Sequence, residues 1–236
     1  MYKKRTRIWS MLLVAALLLS LLPVTALANS YENCTDGDSC TQHEAAIGST
    51  HYDTIGEAID AANKTSGSDT ITITLLKDAT LTGGEQSGYY KIKRILKNIT
   101  LDLGTHKLTY NENGGFAVDP NCHFTIQNGT YINASTDAYA QAIEGTKRAY
   151  EGPGCTITIA KDAVIQAAYG ICADGHTTIN VYGKIISTVD GIFGAGPKNN
   201  VMLDGATIEA GVYGVYQQSK DGGSTYTIKN STITTP

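Results

Sequence analysis

The chain has 236 residues, a net charge of −4 at pH 7 and five cysteines, with 42% hydrophobic residues. That length suits a single all-β domain. The acidic balance excludes the basic surface that nucleic-acid binding by phosphate neutralisation requires.

Lys3, Lys4, Arg5 and Arg7 form a positive start, followed by an apolar run from Met11 to Leu22. Pro23 ends the run, and Ala26-Leu27-Ala28 fits a small-x-small cleavage site. This order predicts a secretory signal peptide over 1–28. The run is short for a membrane-spanning helix, which needs about 20 apolar residues. Cleavage would leave 29–236, with a net charge of −8 after loss of those four cations. The expected location is secreted or cell-surface, with no membrane span after cleavage.

Residues 29–51 read as a leader segment. Residues 52–64 read as a helix, because Ile55, Ala58, Ile59 and Ala62 recur at i, i+3, i+4 and i+7. Thr54-x-x-Glu57 is a capping-box pattern. This short helix is expected to cover the first unit of the repeat that begins near residue 71, since terminal repeats need capping.

From residue 71 onward a repeat appears. Apolar-x-apolar pairs end at Leu75, Leu101, Ile126, Ile159, Val181, Leu203 and Ile228, spaced 26, 25, 33, 22, 22 and 25 residues apart. Each pair alternates with the period of a strand. Turn formers stand two residues past most pairs: Asn128, Gly183, Gly205 and Asn230, with Lys161 in one repeat. Past each corner stands another apolar residue: Leu81, Leu108, Ile132, Ile165, Ile186, Ile208 and Ile233. Further short strands are read at 115–118, 140–143, 170–173, 191–193 and 214–216. A recurring unit of two or three strands divided by corners predicts an all-β fold, a right-handed parallel β-helix spanning 52–236. Stacking equivalent strands would satisfy their backbone groups and pile apolar residues into one core. The unit stops soon after Ile233, which reads as an uncapped, truncated C-terminal end.

The runs 43–62, 71–78 and 97–108 resemble the start of large surface proteins of gut Firmicutes, which look like pectate-lyase-type β-helices with a helical N-cap. That family commonly has Asn-Gly where this chain has Gly104-Thr105, a change expected to alter only a turn. The resemblance implies the fold and a surface location, and says little about activity.

Chemistry-bearing patterns are sparse. Asp102, Gln127, Ala160, Tyr182, Asp204 and Lys229 share one register, so Asp102 and Asp204 stand four rungs apart, roughly 19 Å. Paired catalytic carboxyls of glycoside hydrolases lie about 5–9.5 Å apart. No catalytic residue is assigned. Asp174 and His176 flank Gly175 and read as turn formers. No C-x-x-C pair occurs, and no metal site or cofactor is expected.

Binding candidates are a loop and a tyrosine face. The segment 144–154 lengthens one repeat and offers Lys147, Arg148 and Tyr150, and added length on one rung often carries binding. Tyr169 and Tyr213 precede equivalent glycines, with Asp190 between them. Such rings can stack on sugars or contact proteins, though strand propensity alone also places tyrosine there. Residues 83–94 read as a strand of the first rung in preference to a basic-aromatic patch. Cys122 and Cys155 stack four residues before their anchors, within Cα reach of a disulfide but with parallel Cβ vectors. Cys34 and Cys40 could close a small loop.

Two functions are expected on these grounds. The first is a non-catalytic module for adhesion, glycan binding or a structural stalk, its partner an extracellular glycan or a host or bacterial surface protein. The second is a polysaccharide lyase or glycoside hydrolase whose site lies partly beyond residue 236.

Overall fold

The computed structural model describes residues 42–145, 153–218 and 222–236. These residues form a parallel β-solenoid with three sheets running along its length. Sheet A holds Ile71–Leu75, Ile99–Asp102, His123–Gln127, Thr156–Ile159, Thr178–Val181, Asn200–Asp204 and Thr225–Lys229. Sheet B holds Ala79–Leu81, Lys107–Tyr110, Thr130–Asn133, Val164–Ala167, Lys184–Ser187, Thr207–Ala210 and Thr232–Thr234. Sheet C holds Tyr90–Ile95, Phe116–Val118, Gln141–Gly145, Tyr169–Ala173, Asp190–Gly194 and Tyr213–Gln217. Within each sheet every strand pairs in parallel with its equivalent one rung away.

The expected anchors stack in register from Leu101 through Ile126, Ile159, Val181 and Leu203 to Ile228. The first rung departs from the expected alignment. Leu101 pairs with Ile73, and Leu75 instead pairs antiparallel with Ala45. A two-residue slip keeps every side chain on its face, so alternation alone cannot detect it. Sheet B carries two corrections of the opposite kind. Leu108, Tyr131, Ile165, Ile185 and Ile208 form the inward column, so Tyr131 and Ile185 take the places assigned to Ile132 and Ile186. Here the slip is one residue, which reverses the face: Tyr131 and Ile185 are fully buried, while their neighbours are half-buried.

The corners use two different devices. Asn128, Gly205 and Asn230 sit at φ 57°, 69° and 49°, the left-handed conformation that Asn and Gly tolerate. Gly183 serves another need: a Cβ there would lie 2.3 Å from the Ala160 carbonyl oxygen, one rung below. Asp102 ties one corner to the next, accepting from Asn128 Nδ2 at 2.7 Å, Gln127 Nε2 at 2.9 Å and Gly104 N–H at 2.9 Å. Asp204 repeats the first bond with Asn230, at 3.2 Å.

Three aromatic rings, one from each sheet, meet in the core. Phe116 contacts both Phe124 and Tyr131, with centroids 4.9 Å apart in each pair. All three are buried. Tyr110 Oη donates to the Lys91 carbonyl at 2.9 Å, whereas the buried Tyr131 hydroxyl has no hydrogen-bond partner among the described residues.

The N-terminal end is covered by helix α1 (Ile55–Lys64), whose four predicted apolar residues are all buried. The capping box forms as read: Thr54 Oγ1 accepts from Glu57 N–H, and Glu57 accepts from Thr54 N–H, each at 3.2 Å. The strand at Thr50–Tyr52 includes Tyr52, so the helix begins later than the 52–64 expectation. A hairpin of Ala45–Ile47 and Thr50–Tyr52, within the expected leader and its boundary, joins sheet A antiparallel to the first rung. Its Glu44 also accepts from the first helical N–H, that of Ile55, at 3.0 Å. Lys93, only 5% exposed, reaches Asp60 of the helix at 2.7 Å. Asn63 bonds the backbone at the end of the same strand, donating to Arg94 O and accepting from the N–H of Leu96 just beyond it. The expected strand over 83–94 is instead a hairpin, in which an antiparallel arm at Glu85–Ser87 pairs with the sheet C strand Tyr90–Ile95.

Two measurements test this packing. Tyr131→Phe should be neutral or raise stability by up to about 1 kcal/mol, because it deletes a buried hydroxyl that makes no bond. Tyr110→Phe should cost about 1 kcal/mol, since it strands the Lys91 carbonyl. Urea unfolding of the three proteins separates the two outcomes.

The corner carboxylate gives a pH test. Burial pushes the Asp102 carboxyl up, but the bonds from Asn128, Gln127 and Gly104 outweigh it and hold it below its ordinary value. Its stabilisation is therefore complete above the unfolded carboxyl range, near pH 3.9, and is lost as pH falls through the lower folded value. Asp102→Ala should cost roughly 1.5 kcal/mol near neutrality. Denaturation at a series of pH values should show that difference shrinking below about pH 4.

Candidate functional site

Sheet C carries the residues that stand out. Its inward column runs Phe116, Ile143, Ile171, Ile192 and Val215, each pairing with the next. Tyr169, Asp190 and Tyr213 occupy equivalent places two residues earlier, Asp190 pairing with Tyr213 and Tyr169 with Gln141. Two rungs separate Tyr169 from Tyr213, about 10 Å along the axis. On the next column Glu144 pairs with Cys172, Cys172 with Phe193, and Phe193 with Tyr216. Alternation turns these side chains away from Ile171 and Ile192.

Rings from the two columns touch. Tyr169 meets Phe193 edge-on at 5.8 Å, Phe193 lies tilted to Tyr216 at 5.7 Å, and Tyr216 stacks on Tyr213 at 4.9 Å and 21°. Four aromatic side chains thus form a continuous run across three successive strands. Tyr213 is 50% exposed. Burial pushes the Tyr169 phenol up, and the nearby Asp190, Cys172, Tyr139 and Tyr90 add to it. Tyr89 meets Tyr90 edge-on at 5.3 Å and donates its hydroxyl to Asp137. Tyr139 is exposed at 59%.

Acceptors border the rings. Asp190 is 4% exposed and accepts from the Tyr213 N–H at 3.3 Å. Burial nevertheless raises its carboxyl above the ordinary value. Gln217 Nε2 donates to Gly196 O at 2.9 Å, and its Oε1 accepts from the Tyr226 hydroxyl.

The sequence singled out Tyr169 and Tyr213, and the structure brings both into one face. It missed Phe193 and Tyr216, which complete the run. Their signal was the aromatic pair three residues beyond Asp190 and Tyr213, visible only once register is known. Lys147, Arg148 and Tyr150 lie outside the described residues, as do Cys34 and Cys40.

Cys122 and Cys155 are buried thiols, and no disulfide joins them. Their strands do lie in adjacent register, since His123 pairs with Thr156. Stacked strands hold equivalent Cβ atoms parallel, and the sulfurs turn to other groups: Cys122 Sγ toward Pro120 O at 3.7 Å, Cys155 Sγ toward Thr177 Oγ1 at 4.0 Å. Asp174 to His176 form a turn, with Gly175 at φ 123° and His176 at φ 52°. A shallow groove of about 580 Å³ on sheet A is lined by Thr158, Ala160, Lys161, Tyr182, Asp204 and Gly205. Among the described residues no three His, Cys, Asp or Glu side chains converge as a metal site would require, and no helix is long and apolar enough to cross a membrane.

Fold and face together define a β-solenoid protein with an aromatic strip on one sheet. Comparison with family models, with curated proteins and with solved structures finds no match to the chain.

The thiol assignment is checked by alkylating the denatured, unreduced protein and mapping it by mass. Both Cys122 and Cys155 should carry the label.

Proposed function

We propose that the chain is exported and acts, as a secreted or cell-surface protein, as a non-catalytic binding module whose sheet C face takes extended glycans. The observation that carries this reading is the contacting run Tyr169, Phe193, Tyr216 and Tyr213. Flat rings in a row suit the apolar faces of sugar rings, while hydroxyls and carboxylates at their edges suit sugar hydroxyls. A solenoid face is straight and periodic, which matches a polymer better than a compact ligand. Export rests on the pattern at 1–28. The resemblance to pectate-lyase-type surface proteins of gut Firmicutes agrees with a surface role.

Hydrolysis on this face is the weaker reading. Glu144 and Asp190 belong to columns two rungs and three residues apart, about 10 Å along the axis before the lateral offset is counted. That exceeds the carboxyl separation used for glycosidic cleavage, about 5–9.5 Å.

A glycan array probed with the mature chain, followed by titration calorimetry on the hits, tests the proposal. Each of Tyr213→Ala and Tyr169→Ala should weaken binding roughly five-fold, the equivalent of about 1 kcal/mol per ring. Release of unsaturated or reducing sugar by the purified chain, or silence across the array, would sink it.

A further inference from the structure

We infer that the aromatic face of sheet C selects uncharged glycan chains lying along the solenoid axis and turns away chains bearing uronates. This rests on the glycan-binding reading and names the substrate class for that face.

The charge pattern supplies the argument. The four strands Gln141–Gly145, Tyr169–Ala173, Asp190–Gly194 and Tyr213–Gln217 contain two charged residues, Glu144 and Asp190, both acidic. No lysine or arginine occurs in them. Asp137 adds a third carboxylate at the Tyr89 and Tyr139 edge, where it accepts from the Tyr89 hydroxyl and, at 2.8 Å, from the Tyr139 N–H. Those two bonds hold its carboxyl below the ordinary value, so it is ionised at neutral pH.

The cations within the strands of sheet C stand on the first rung, and each already has an acidic partner. Lys91 pairs with Glu112 at 2.6 Å, Lys93 with Asp60 at 2.7 Å, and Arg94 with Asp119 and Glu85. A uronate carboxylate laid over Tyr169 and Tyr213 would therefore meet Asp190 and Glu144, with no lysine or arginine in those four strands to pair it. Like charges in a partly desolvated site repel strongly, and a carboxylate stripped of water without a partner is costly. The hydroxyls of a neutral sugar meet the opposite situation, since the same carboxylates are acceptors that hydroxyl donors satisfy.

The geometry also sets direction and length. The ring run crosses strands, so a chain tracking it lies along the axis. From the rung of Gln141 to that of Tyr213 is three steps, about 14 Å, room for about three sugar units.

The test uses the mature chain and the neutral oligosaccharide it binds most tightly on a panel of cello-, xylo-, manno- and malto-oligosaccharides. That ligand is compared with the same chain oxidised at its primary hydroxyls to carboxylates, and with the methyl ester of the oxidised chain; for a pentose chain, the hexose ligand ranked next is used. Oxidation should weaken binding at least ten-fold, and esterification should restore most of it. Asp190→Asn should narrow the gap between the neutral and oxidised chains. Affinity should stop rising with length at about the trisaccharide or tetrasaccharide, given the span of the face. Equal or tighter binding of the oxidised chain, or failure of the ester to recover, overturns the selectivity while leaving glycan binding intact. Silence across the whole panel overturns both.

Discussion

Everything in this molecule depends on one constraint, the in-register pairing of each strand with its counterpart one turn away. Parallel pairing satisfies the backbone of all three sheets only if equivalent residues sit directly above one another. That condition piles Leu101, Ile126, Ile159, Val181 and Leu203 into one column of the core. It also places whatever faces outward into columns. The aromatic run, the corner bonds of Asp102 and Asp204, and the parallel cysteines are all consequences of it.

The same constraint makes the first rung the difficult one, because it has a neighbour on one side only. Its free side is closed by means a solenoid strand cannot supply: an antiparallel hairpin on sheet A and a helix over the core. Lys93 belongs to both solutions, a strand residue whose charged end is held by the lid at Asp60. The other end looks different. Ile228 and Ile233 occupy the columns of Leu203 and Ile208, yet they are 52% and 39% exposed, while the residues beneath them are fully buried.

The fold was legible in the sequence because a repeat is an averaged signal. Corner residues, apolar alternation and spacing all point to one unit, and the helix announced itself through Thr54, Glu57 and its apolar face. The details that escaped share a physical cause. Ile71, Ile73 and Leu75 are equally good inward residues, so only the hairpin that captures Leu75 reveals which one aligns with Leu101. Tyr131-Ile132 and Ile185-Ile186 are adjacent apolar pairs, and either member could point inward until the neighbouring rung is known. The candidate face was half visible for the same reason. Tyr169 and Tyr213 share a position before a glycine, but Phe193 links their rungs through contacts that cross between rungs, to Tyr169 and Tyr216, which no local pattern encodes.

One rung shows how loosely such a scaffold controls its own chain length. The anchors Ile126 and Ile159 lie 33 residues apart, against 22 for the next two intervals, yet they pair directly, and Gly145 still meets Ala173 across sheet C. The extra residues leave no trace in the register on either side. Insertions and deletions at that corner are thus nearly silent to the fold. A lineage carrying this solenoid can gain or lose residues in that interval, while the core and the ring spacing descend unaltered.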